Sequence, residues 1–227
     1  MSEIVRVASA FDGFDVPAYR FAPGNARRGG LIVVQEIFGA NAQIRRVAER
    51  YAEDGYEVLA PAMFERAAPG FEAGYDPRSF VRGRKAAEAT PWEQVQGDLQ
   101  ALIDHLAGPV FIVGYCWGGA AAWLAACRCE NLAAASCYYG RAITALKDET
   151  PRCPTLLHYG LHDEFIPVAD IEAVRAAHPD LALHTYDTGH AFNRDGDPAH
   201  YVEDAAHLAR LRTLQLFHRA AGAKGEV

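Results

Sequence analysis

The chain has no apolar run approaching the ~20 residues needed to cross a bilayer, and its opening stretch, MSEIVRVASAFDGFD, carries acids where a secretory leader needs a basic start and an apolar core. No membrane partner is expected, and the location predicted is cytoplasmic. Basic residues nowhere cluster over more than a few positions, and 22 Lys and Arg stand against 29 Asp and Glu, a formal charge of -7. Nucleic acid is therefore not an expected partner. There is no CxxC pair. The five cysteines, Cys116, Cys127, Cys129, Cys137 and Cys153, are odd in number, so at least one is a free thiol, and Cys127-x-Cys129 is too close for an ordinary bridge or a zinc knuckle. Most should be buried as small hydrophobes. His158 and His162 are four apart but separated by Gly160 and a strand end, so helical metal-ligand spacing does not apply. No metal site and no cofactor are expected.

What the chain does have is length and apolar content. With 227 residues, half of them hydrophobic, folding buries roughly 70% of the unfolded surface, enough for one domain over 1–227 without disulfide or metal staples. From residue 30 onward short β-rich runs alternate with segments of helical period: strands are predicted at 31–34, 56–60, 110–113, 133–138, 155–159 and 182–186. Two earlier runs, 4–8 and 18–21, flank the turn-rich FDGFD and suggest an antiparallel start to the same sheet. Ile44, Val47, Ala48 and Tyr51 mark one helical face, and a last helix is predicted from about Pro198 to Ala220. The irregular stretch 61–78 reads as a long surface excursion and 187–197 as a second break, both leaving the carboxyl ends of strands, where ligands bind in open parallel sheets.

The chemistry concentrates in Gly114-Tyr115-Cys116-Trp117-Gly118-Gly119, between an apolar strand and an Ala-rich helical segment. This is a nucleophile elbow with cysteine at its apex: glycines two before and two after let strand and helix approach, and the apex lies at a helix N-terminus that favours negative charge. Asp163 follows the strand at 155–159, and His190 lies in the loop after the next strand. The order Cys, Asp, His, each beyond a strand's carboxyl end, is that of an α/β-hydrolase triad. His190 would take the thiol proton and later protonate the leaving group, while Asp163 fixes its tautomer. The expected fold is thus an α/β-hydrolase, a mostly parallel sheet of about eight strands with helices on both faces.

Glu36 directly follows the first parallel strand, in the loop that in this fold supplies the second oxyanion-hole N–H. Ile37 and Trp117 are the expected backbone donors. Glu36 is placed to relay or accept the Cys116 proton; the alternative reading is a structural acid that bonds a loop backbone or an arginine.

The segments QEIFGANAQIRRVAERYAEDGYEVLAP, GYCWGG, YYG, Gly-x-x-Asp and GHAF together resemble the dienelactone hydrolase family, over roughly residues 5–220. The resemblance implies the triad Cys116, Asp163 and His190, with Glu36 hydrogen-bonded to the resting thiol and released when an anionic substrate binds. It also implies Arg194 as a holder of the substrate carboxylate and Tyr138 as a pocket tyrosine. A second arginine and an aromatic are expected from the helix that reads Arg78-Ser-Phe-Val-Arg82, with Arg82 the candidate arginine, and Ala191 replaces a small hydroxyl residue of the dienelactone-cleaving members.

The function expected is cleavage of a small-molecule lactone or activated carboxylic ester, such as an anionic dienelactone, through a Cys116 thioester, with no need for an oligomer. A broader carboxylesterase or thioesterase is the alternative within hydrolysis. A redox or glyoxalase-type protein also combines an elbow cysteine with an upstream glutamate, but does not need the later Asp and His.

Overall fold

The computed structural model describes residues 2–222. Eight strands form one sheet: β1 (Glu3–Ala8), β2 (Asp15–Phe21), β3 (Gly29–Val34), β4 (Tyr56–Pro61), β5 (Val110–Tyr115), β6 (Leu132–Tyr138), β7 (Thr155–Gly160) and β8 (Ala182–Tyr186), in spatial order β1-β2-β4-β3-β5-β6-β7-β8. β1 and β2 pair antiparallel, β2 joins β4 antiparallel, and the remaining neighbours are parallel. All eight expected strands are present, β8 with the bounds expected and the other seven extended by one to three residues. β3, β5, β6 and β7 are buried along their whole length, which is why they read as continuous apolar runs rather than alternating ones.

The helices are α1 (Ala42–Glu53), α2 (Pro77–Glu88), α3 (Trp92–His105), α4 (Trp117–Arg128), α5 (Val168–Ala177) and α6 (Glu203–Gly222), with a short 3-10 helix at Arg141–Leu146. Two of them start at clear signals. Asn41 caps α1 by accepting from the Gln43 and Ile44 amides, and Asp76 caps α2 with Pro77 in its first turn. Strand alternation shows how both faces of the sheet are covered. Ser136 and Tyr138 of β6 reach the Thr213 hydroxyl of α6, at 2.8 and 2.9 Å, while Cys137 between them is buried on the opposite face, where α4 packs on β6.

Two sequence expectations need correction. The final helix begins at Glu203, not near Pro198: the His200 and Tyr201 amides turn back onto the Asp197 carbonyl and the Val202 amide donates to Phe192 O, so 198–202 is tied to the preceding loop. The 61–78 excursion is exposed over much of 67–78, as expected, but its first part is anchored inward rather than lying on the surface. Met63 and Phe64 are buried, the Phe64 ring meets Trp117 at 4.7 Å, and Arg66 pairs with the buried Asp98. Its second half crosses Gly39, whose φ of +79° leaves the backbone so close to Phe71 that a Cβ would lie 2.1 Å from the Phe71 carbonyl oxygen. No helix among the described residues is long and apolar enough to cross a membrane.

Candidate active site

The elbow is formed where β5 turns into α4. Cys116 has φ 55° and ψ -116°, a conformation that side chains rarely adopt, and is held there by its amide donating to Tyr138 O and its carbonyl accepting from the Gly119 and Ala120 amides. The turn is tight enough to require Gly114, because a Cβ there would lie 1.8 Å from Gly118 O. Among the described residues neither the Trp117 nor the Ile37 amide donates a hydrogen bond to the protein, so both donors remain available beside the apex. Cys116 is half-buried; Cys127, Cys129 and Cys137 are buried, and their thiol pKa values are pushed up by burial.

Asp163 and His190 come together because β7 and β8 are parallel neighbours and their following loops run side by side, with the His162 amide bonded to Thr188 O. His190 Nδ1 lies 2.6 Å from Asp163 Oδ2, and the other carboxylate oxygen accepts from the Phe165 amide at 2.8 Å. Burial opposes charge on the imidazole, but the Cys116 sulfur and the Asp163 carboxylate outweigh it and push the His190 pKa up to about 10. The three residues expected as a triad are thus gathered at one end of the sheet.

The remaining expectations are met unevenly. Glu36 makes no hydrogen bond to Cys116. Its two oxygens instead accept from Arg194 Nε and Nη2 at 3.0 and 2.9 Å, the arginine-bonded alternative. Arg194 also donates through Nη1 to Asp197 Oδ2 at 3.1 Å, and its guanidinium carbon lies 4.3 Å from the Tyr75 ring centroid and 5.2 Å from that of Phe38. Burial opposes its charge, yet Glu36 raises its pKa above the ordinary value. Arg194 is thus buried, with its guanidinium bonded to two carboxylates.

Tyr138 is fully buried and turned to α6, where its hydroxyl meets Thr213. The tyrosine against the triad is the next one, Tyr139, at φ 38° and 4.9 Å from the His190 ring. Sequence reasoning missed it because YYG contains two candidates, and only the pleat decides which faces the site. Arg82 is exposed on α2, its guanidinium carbon 5.2 Å from the Phe71 ring centroid. Also missed was Phe165, whose ring stands edge-on to His190 at 5.1 Å and parallel to Phe80 of α2 at 6.0 Å.

Comparison with known proteins places these features in context. A match to the dienelactone hydrolase family spans residues 16–221. A carboxymethylenebutenolidase from Pseudomonas putida is 33% identical, the alignment covering 90% of this chain and 92% of that protein. A candidate carboxymethylenebutenolidase from Synechocystis sp. is 35% identical over 82% of this chain and 84% of its own length. Among solved structures, a candidate dienelactone hydrolase from Klebsiella pneumoniae superposes with a TM-score of 0.84 at 29% identity, covering 96% of this chain and 98% of that one.

Proposed function

The chain belongs to the dienelactone hydrolase family, and from that membership and the geometry of its site we propose that it hydrolyses lactones or carboxylic esters through a thioester on Cys116. The observation that carries the reading is the 2.6 Å bond from His190 to Asp163 beside a cysteine at a strand-to-helix elbow. His190 carries the proton that it shares with Cys116 as Sγ attacks the carbonyl carbon, in keeping with its raised pKa. The Ile37 and Trp117 amides receive the resulting oxyanion at the start of α4, where the dipole also favours it. The C–O bond then breaks, and the proton on His190 passes to the departing oxygen, leaving the acyl group on sulfur. In the second half His190 draws a proton from water, hydroxide oxygen attacks the thioester carbon, and Cys116 leaves with its proton restored. Asp163 holds the Nδ1 proton throughout and stabilises the imidazolium. Glu36, fixed by Arg194, positions the backbone of Ile37 for the oxyanion.

The test is ester hydrolysis by Cys116→Ala, His190→Ala and the double variant. Each single change should lower kcat by roughly 1000-fold or more, and the double should be scarcely worse than either, because the two act as one unit. Alanine at Cys127, Cys129, Cys137 or Cys153 should leave hydrolysis in every variant that folds. Additive losses, or full activity without Cys116, would overturn the proposal.

A further inference from the structure

Of the arginine and the aromatic expected from α2, the helix turns the aromatic toward the site and leaves Arg78 and Arg82 exposed. Gly83 abuts Ile37 so closely that a Cβ would lie 2.2 Å from the Ile37 carbonyl oxygen, which sets this helix against the loop beside the elbow. One turn earlier on the same face stands Phe80, half-buried and stacked on Phe165, which in turn meets His190 edge-on. Arg78 and Arg82 lie two positions either side of Phe80, about 200° around the helix axis, and are exposed. Arg84 pairs with Glu88 at the surface. Arg194 is already engaged by Glu36 and Asp197, and Asp197 in turn by His200.

Accepting the hydrolase reading above, we infer that Phe80 and Phe165 form an aromatic subsite that selects neutral esters bearing an apolar, best of all aromatic, group, and disfavours substrates ending in a carboxylate. Two half-buried rings beside the base offer a flat apolar surface with no charge to neutralise. A phenyl group gains by stacking or edge contact there, whereas a carboxylate loses hydration against the rings and finds the buried guanidinium occupied.

The experiment compares kcat/KM for 4-nitrophenyl hexanoate, its carboxylate counterpart mono-4-nitrophenyl adipate, 4-nitrophenyl 3-phenylpropanoate and 4-nitrophenyl acetate. Wild type should favour hexanoate over adipate by at least about tenfold, since leaving a charge unpaired on binding costs more than a missing methylene. Phe80→Ala should reduce the ratio of phenylpropanoate to acetate by about three- to tenfold, the range of an aromatic contact, with Phe80→Leu falling between. Cys116-dependent cleavage that favours the adipate ester, or an unchanged ratio in Phe80→Ala, would overturn the subsite while leaving the hydrolase intact. Failure of wild type to cleave any of the four would overturn both.

Discussion

Glu36 and Arg194, 158 residues apart in the chain, meet through two parallel hydrogen bonds of 3.0 and 2.9 Å, with both side chains nearly sealed from solvent. The contact ties the loop after β3 to the loop after β8, and so ties the residue next to the Ile37 amide to the segment that carries His190. A pair of this kind matters most when it is broken from one side.

Arg194→Met leaves the Glu36 carboxylate buried without its counter-charge and should cost about 3 to 5 kcal/mol of stability. Combining it with Glu36→Gln removes the stranded charge, so the double variant should lose clearly less than the sum of the single losses. Urea unfolding of the four proteins measures the coupling. Strict additivity would mean that the pair carries no interaction of its own.

Stability should fall in alkaline solution through His190. Its pKa is about 10 in the folded protein against an ordinary 6.5. The folded state therefore holds this proton more tightly than the unfolded chain does. The resulting stabilisation is complete below about pH 6.5 and is lost as pH rises toward about 10. Urea midpoints measured between pH 6.5 and 10 should decline more steeply in wild type than in His190→Gln. Parallel slopes in the two proteins would contradict the assignment.

Glycine is required at the elbow and dispensable in the excursion. Gly114→Ala drives a Cβ against the Gly118 backbone at 1.8 Å and should cost more than about 4 kcal/mol, enough to prevent folding. Gly74→Ala meets nothing within 4 Å and should stay within about 0.5 kcal/mol of wild type. Soluble yield and thermal midpoints distinguish the two. A well-folded Gly114→Ala protein would refute the close approach of β5 and α4.

The strands and the gathering of Cys116, Asp163 and His190 were legible because a parallel sheet delivers every strand's carboxyl end to one edge. An apolar run followed by a polar loop is then enough to locate a site residue. Orientation was harder to read. Tyr138 and Tyr139 are adjacent at a strand end and point to opposite faces, a difference that one residue of register reverses. The direction of Arg82 was in principle available, since Asp76-Pro77 marks the start of α2, but Gly83 is what shows which face turns inward. The Glu36–Arg194 bond is invisible to local pattern because its ends belong to loops separated by most of the chain. The start of α6 was misplaced because 198–202 bonds to the loop behind it rather than to the helix ahead.

At Cys116 the backbone φ of 55° sets durability against chemistry. Glycine would release roughly 1 to 3 kcal/mol of strain there, more than the roughly 0.5 to 1 kcal/mol it concedes to a freer unfolded chain. A population of variants selected only for survival at high temperature should therefore drift toward Cys116→Gly, becoming hardier as it loses its nucleophile. The thiol persists at this apex against the gradient of folding itself, and laboratory evolution for heat resistance needs an activity screen to keep it.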